Sequence, residues 1–313
     1  MGVQEIEPAP VDPADLLIEI DFSGVNFKDA MVAAPKSRVR RVASLVGGVD
    51  AAGTVARSAD PSLPEGTRVA VHGGTMGVAR HGGFAQFVYA PARYVSALPD
   101  AISTRVAMII GTAGFTSMES ILALEDRGVA KGSEILVTGA TGGVGSQAVA
   151  FLAAMGYLPV ASTGSPEAST WLIERGAHRV IGRDVADNPG RVLATETWAG
   201  AIDCVGGETL TQIVRSLRYG AAVAASGLVA SADLVTTVYP FITRSVALLG
   251  IDSVEATTET RDRVWSALGE VAPSVDFEAL VDREVPLEEL TSALYVVREG
   301  KTRGRILVKP APG

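Results

Sequence analysis

The segment VTGATGGVGSQA (137–148) constrains the fold more than any other part of the chain. A buried, apolar strand pattern, EILVTG (134–139), runs into glycines at 139, 142, 143 and 145, and the helical pattern VGSQAVAFLAAMG (144–156) follows. A second strand pattern, LPVAST (158–163), comes next. The first N–H groups of a helix have no intrahelical partner, and the helix dipole favours negative charge there. Glycines let the backbone approach a pyrophosphate without a side-chain clash. The spacing is A-x-G-G-x-G rather than strict G-x-G-x-x-G. Its place between strand and helix points to a dinucleotide-binding loop, with a purely structural turn as the competing reading. No charged residue occurs from Ile135 to Pro166, a length that would permit a membrane span. Six glycines, two prolines and scattered Ser and Thr fit a buried strand–turn–helix–strand unit better.

The second strand bears on which dinucleotide is bound. An NAD site carries Asp or Glu about 20 residues past the loop, bonding the ribose 2′-OH. Here the strand ends in Ala161-Ser162-Thr163-Gly164-Ser165, and no acid appears before Glu167. The hydroxyls of Thr163 and Ser165 can donate to a 2′-phosphate, and Arg183 can add positive charge. NADPH is therefore the expected cofactor. FAD also uses this fold, but a nicotinamide enzyme suits a β-rich second domain better.

That second domain comes first in the chain. LLIEIDF (16–22), VDAAGTVA (49–56), TRVAVHG (67–73) and FAQFVYA (84–90) read as strands separated by turn residues. The character changes near Pro99-Asp100. A helical pattern at 102–124 is interrupted by Gly111 and Gly114, and strands and helices then alternate. Helices are expected at 166–176 and 208–220, and strands at 178–182, 200–206, 221–227 and 245–252. Such alternation predicts a parallel sheet with helices on both faces. The tail carries helix patterns at 260–271 and 287–299 and a final strand at 304–309, which are expected to return to the first domain.

At 313 residues the chain has room for two domains, and 47% apolar with 20% charged residues gives it a sizeable core. A net charge of −8 argues against a general nucleic-acid surface. The N-terminus shows no basic stretch followed by an apolar core, so no signal peptide is expected. Cys204 is the only cysteine, and the histidines are His72, His81 and His178. This set makes a poor zinc site, so no metal is expected. Without a metal to activate an alcohol, reduction of a polarised C=C bond becomes the better expectation. Few cysteines fit a reducing, cytoplasmic setting. No G-x-S-x-G elbow occurs.

Further segments carry a family resemblance: GVNFKDA (24–30), AMIIGTAGFTSM (107–118), ALEDRGV (123–129), WAGAIDCVGG (198–207), TTVYPFITR (236–244), LLGIDSV (248–254) and RGRILVK (303–309). With the glycine loop they resemble zinc-independent medium-chain dehydrogenases/reductases of the quinone oxidoreductase and enoyl reductase branch, in particular the bacterial acrylyl-CoA reductase group. The resemblance implies an α/β architecture. A GroES-like β-rich domain (1–100 and 252–313) would join a Rossmann doubly wound parallel sheet (101–251), with NADPH in the cleft between them. It implies a homodimer and reduction of a short α,β-unsaturated acyl-CoA; the charge balance and the content of the uncharged stretch add the expectation of no nucleic-acid or membrane partner. A quinone or alkenal/enone reductase and a low-turnover NADPH-binding sensor or structural protein are the alternatives.

By position, the resemblance makes Asn26 the active-site asparagine. Thr112 and Thr116 fall in the cofactor-lining stretch, and Thr141, Gly142, Gly143, Val144 and Gly145 in the pyrophosphate loop. Thr163, Ser165 and Arg183 fall at the 2′-phosphate, Gly227 and Leu228 beside the ribose and nicotinamide, and Arg305 near the cofactor. The chain departs from the family at Phe27, where relatives carry tyrosine, and at Ser165, where close relatives carry arginine. It also starts short of the family's first strand. Lys28 and Asp29 read as a surface or structural pair. Lys36, Arg38, Arg40 and Arg41 form either a solvated loop or a landing site for the phosphates of CoA.

Overall fold

The computed structural model describes residues 2–7, 9–187 and 191–310. Along the chain come β1 (Leu16–Val25), α1 (Phe27–Ala33), β2 (Asp50–Arg57), β3 (Arg68–His72), β4 (Phe87–Ala90) and β5 (Val95–Ala97). Helix α2 (Thr104–Glu125) leads to β6 (Glu134–Val137), α3 (Gly143–Ala154), β7 (Leu158–Ser162), α4 (Ser169–Glu174) and β8 (Arg179–Ile181). Then follow β9 (Gly200–Asp203), α5 (Gly207–Ser216), β10 (Ala222–Ala225), α6 (Tyr239–Arg244) and β11 (Ala247–Gly250). The chain closes with α7 (Thr258–Val271), β12 (Val281–Pro286), α8 (Leu290–Arg298) and β13 (Arg305–Lys309). Two compact units result. One comprises Met1–Phe115, Ser253–Pro273 and Phe277–Gly313, the other Thr116–Asp252 and Ser274–Asp276.

The first unit is built on a seven-stranded sheet in the order β12-β13-β1-β2-β3-β5, with β4 also paired to β1. Strand β1 shows why. Leu16, Ile18 and Ile20 are buried while Glu19 and Asp21 are exposed, the alternation of a strand with one wet face. Past Phe22 the burial becomes continuous, and there Ser23–Val25 pairs antiparallel with Ile306–Val308 of β13. Helix α7 starts at Thr257, whose side chain accepts the N–H of Thr260 at 3.2 Å. It buries Arg261, Val264, Trp265 and Leu268, one face at helical spacing.

The second unit is a six-stranded sheet in the order β11-β10-β9-β6-β7-β8, every pair parallel. The chain moves outward from β6 to β8, then crosses back to β9 and moves outward to β11. This is the doubly wound Rossmann arrangement, in which ligands bind at the carboxyl ends of the strands where the order reverses. Ile135, Leu136, Val137, Val160, Ala201, Ile202 and Val223 are all buried, as strands covered on both faces require.

Pattern reading missed α1, β5, α6 and β12. Strand β12 reads VDREVP; it is an edge strand carrying exposed charge, so it shows no apolar alternation. The helix expected at 166–176 is a single 3-10 turn followed by the short α4. Helix α2 is long and apolar enough to cross a bilayer, but 78% of its most apolar window is buried inside the protein. That burial is what a core helix requires.

Candidate active site

In the first unit a buried polar cluster forms around Asp50, the first residue of β2. Its carboxylate accepts Asn26 Nδ2–H at 2.8 Å, the Thr112 N–H at 3.0 Å, the Thr112 hydroxyl at 2.5 Å and Arg305 Nη2–H at 3.3 Å. Asp50 is fully inaccessible and Arg305 only 2% exposed. The guanidinium also donates to the carbonyls of Ile109 (3.1 Å) and Val25 (3.2 Å) and to Asn26 Oδ1 (2.9 Å). Gly111 lets the backbone enter this cluster. It sits at φ +51° and breaks α2 into two helical segments. A Cβ there would press on the Asp50 carboxylate and the Arg305 guanidinium.

Asn26 caps α1 and is half-buried. Its amide oxygen accepts a hydrogen bond from Arg305 and its amide nitrogen donates one to Asp50, so both ends of the amide are oriented. The remaining amide hydrogen has only a 3.4 Å contact with the Gly24 carbonyl. Asp29 locks the start of the helix by accepting the N–H of Asn26 at 2.8 Å and of Val49 at 2.9 Å. Burial pushes its carboxyl up to about 7; the two backbone hydrogen bonds and Arg305 oppose the rise, and Asp50 adds to it. Asp29 is therefore a buried keystone, not half of a surface pair with Lys28.

Arg305, which the resemblance puts near the cofactor, is buried in the cluster beside Asn26. Burial lowers its pKa, Asp50 and Asp29 counter that, and its donors are engaged by its own chain. It holds Asn26 and Asp50 in place. Asp50 itself gave no signal in the sequence, because a lone acid at the start of a strand resembles any turn residue.

The histidines offer no metal donor set. His72 is buried against the Phe115 ring, with centroids 4.4 Å apart, and against the Arg261 guanidinium. Burial and that neighbouring cation hold its pKa well below the ordinary value. His81 Nδ1 accepts the N–H of Val46 at 3.0 Å. Cys204 lies in the second unit, just past β9. Among the described residues no three His, Cys, Asp or Glu side chains group as ligands, so the residues present do not fit a zinc ion.

In the second unit the glycine loop joins β6 to α3. Thr141, Gly142, Gly143 and Val144 are half-buried in otherwise buried surroundings, so the loop reaches the surface at the strand ends. Helix α3 starts at Gly142 with no side-chain cap, leaving its first N–H groups for an anion. Gly145 is the packing glycine. A Cβ there would lie 2.7 Å from Ala140 Cα and 2.8 Å from the Gly139 carbonyl carbon, so strand and helix meet this closely only with glycine. The Ser117 hydroxyl donates to the Val144 carbonyl at 2.7 Å and ties the loop to α2, where Thr116 is also buried.

The three residues expected at a 2′-phosphate come together. The Thr163 hydroxyl accepts the Ser165 N–H at 3.0 Å, and the Arg183 guanidinium lies over Gly164 between them. Gly227 and Leu228 follow β10. Gly227 lies against the Cys204 backbone, and Leu228 is 58% exposed. Asp203 fixes this corner, accepting the Thr138 hydroxyl at 2.6 Å and the Gly206 N–H at 2.8 Å. Its burial raises its pKa against those hydrogen bonds. Asp203 is a second anchoring acid that the sequence did not reveal.

Residues 12–100 match the alcohol dehydrogenase GroES-like domain model, and residues 143–269 match the zinc-binding dehydrogenase model. The putative quinone oxidoreductase YhfP of Bacillus subtilis is 41% identical over 98% of this chain and 94% of its own length. Its crystal structure with NAD bound matches at TM-score 0.91, covering 95% of this chain and 91% of that one. Acrylyl-CoA reductase AcuI of Ruegeria pomeroyi is 38% identical over 98% of this chain and 93% of its own. The crystal structure of Escherichia coli K-12 YHDH with bound NADPH matches at TM-score 0.93 and 38% identity, covering 99% of this chain and 96% of that one.

Proposed function

The chain belongs to the zinc-independent branch of the medium-chain dehydrogenase/reductase family, and on that premise we propose that it reduces the C=C bond of a short α,β-unsaturated acyl-CoA such as acrylyl-CoA. It is an NADPH-dependent oxidoreductase. The observation that carries the substrate reading is likeness, over nearly the full chain, to a protein named acrylyl-CoA reductase.

The residues fit the cofactor. The uncapped start of α3 and the loop Thr141–Gly145 suit a pyrophosphate, and Thr163, Ser165 and Arg183 suit a 2′-phosphate. When bound, NADPH supplies a hydride for the β-carbon of the enoyl thioester. Negative charge would then develop on the thioester oxygen, until a proton taken from solvent reaches the α-carbon and completes the reduction; that oxygen needs a donor already in place. The second amide hydrogen of Asn26 is assigned that role. Asp50 and Arg305 fix the two ends of its amide, so no reorientation is needed as the charge appears.

Quinone reduction is the second reading, favoured by the name of the Bacillus subtilis relative. NADPH oxidation followed side by side with acrylyl-CoA, crotonyl-CoA and a small quinone separates the two. Acrylyl-CoA is expected to give the highest kcat/KM, and turnover of the quinone alone would sink the proposal.

We also infer a homodimer. Strand β11 is an edge of the parallel sheet with Leu248 on it 39% exposed, and the preceding helix α6 adds Ile242, 72% exposed. An exposed apolar sheet edge is a ready surface for self-pairing. Light scattering on wild type and Ile242→Asp tests this; a wild-type monomer would refute it.

A further inference from the structure

The loop between α1 and β2 carries charge that the chemistry above leaves unused. Lys36, Arg38, Arg40 and Arg41 stand within six consecutive residues of a chain with net charge −8. All four are exposed, and among the described residues no carboxylate forms an ion pair with them.

The loop is nevertheless held in place. Val39 packs onto the apolar cluster of Val32, Val49 and Val78, between the exposed Arg38 and Arg40. The Ser37 hydroxyl accepts the N–H groups of Val39 (3.1 Å) and Arg40 (3.0 Å), and the Arg41 N–H donates to the Val78 carbonyl at 3.0 Å. Four like charges on one anchored loop repel one another, and a multivalent anion relieves that repulsion. Arginine forks match phosphate oxygens in pairs.

Placement adds to this. Helix α1 begins after Asn26 and ends at Ala33, so the cations follow one short helix of seven residues, about 10 Å long. A CoA thioester has the same layout, with the reacting acyl group at one end of a flexible pantetheine arm and the phosphates at the other. Resting on the reading of the substrate as an acyl-CoA, we propose that the Lys36–Arg41 loop binds the phosphates of its coenzyme A moiety.

The test compares acrylyl-CoA with acrylyl-pantetheine, which lacks the nucleotide, in wild type and in the combined variant Lys36→Gln, Arg38→Gln, Arg40→Gln and Arg41→Gln. Losing one net charge-assisted contact corresponds to about tenfold in affinity. The KM of acrylyl-CoA relative to acrylyl-pantetheine is therefore expected to rise at least about tenfold in the variant. An unchanged ratio overturns the proposal, as does an equal weakening of NADPH binding, which would place the loop's charge at the cofactor. Thermal melting checks that the variant is folded, and the charge-keeping variant Arg38→Lys, Arg40→Lys and Arg41→Lys should retain most of the wild-type preference for acrylyl-CoA over acrylyl-pantetheine.

Free CoA, titrated calorimetrically, separates this proposal from the functional reading. If acrylyl-CoA is not reduced but the variant binds CoA at least about tenfold more weakly, the site stands and the substrate assignment falls. If acrylyl-CoA is reduced and CoA binds both proteins equally, the site falls and the function stands. Competition by inorganic phosphate at the same concentration as CoA would show simple anion attraction and also overturn it.

Discussion

Asp50→Asn strips the charge from a buried carboxylate while keeping its size. Asp50 accepts four hydrogen bonds from Asn26, Thr112 and Arg305, and neither Asp50 nor Arg305 is more than 2% exposed. Removing one partner of a buried ion pair costs about 3–5 kcal/mol, because the other charge stays buried without compensation. The new amide also turns an NH₂ toward a donor that had an acceptor, which adds about 1 kcal/mol. A loss of about 4–6 kcal/mol is a large part of the roughly 5–15 kcal/mol that holds a domain folded. Urea unfolding of the protein should show it as a clear fall in midpoint at unchanged slope. The double variant Asp50→Leu with Arg305→Met should be far less destabilised, because it buries no unpaired charge. A loss below about 1 kcal/mol for Asp50→Asn, the range of exposed pairs, would refute the reasoning. So would a double variant as unstable as the sum of its parts.

Gly145→Val should raise the NADPH Kd by more than about a hundredfold, measured by fluorescence titration, because the side chain must push α3 away from Ala140. Arg183→Ala should lower the preference for NADPH over NADH by about tenfold, the worth of one charge-assisted hydrogen bond, read from the ratio of kcat/KM values. Asp29 supplies a pH test. Its carboxyl goes from an ordinary 3.8 to about 7 in the folded state, so the folded protein holds the extra proton between those values. Its contribution is full below about pH 4 and is lost as pH rises toward 7, on the order of 4 kcal/mol in total. Urea midpoints for Asp29→Asn should therefore fall less between pH 4 and 7 than those of wild type; parallel curves would contradict the burial argument.

Much of the second unit was legible in the amino-acid sequence because its information is local. A glycine loop between a buried strand and a helix has few alternative structures, and a strand that ends in Thr163 and Ser165 without an acid bears on cofactor choice. The lone cysteine likewise left too few soft ligands for zinc chemistry. Other features depended on partners far away in the chain. Asp50 is joined to Asn26, Thr112 and Arg305, and Arg305 lies 255 positions from Asp50 in sequence. No pattern in a short window can tell a keystone acid from a surface one, or a buried arginine from a cofactor ligand. Burial decides that difference, because an isolated charge is unaffordable in the interior and must find its counterpart there. Sequence thus determined a doubly wound sheet with a glycine loop suited to a dinucleotide. Only the tertiary structure, by excluding water from Asp50 and Arg305, decided which side chains hold Asn26 in place.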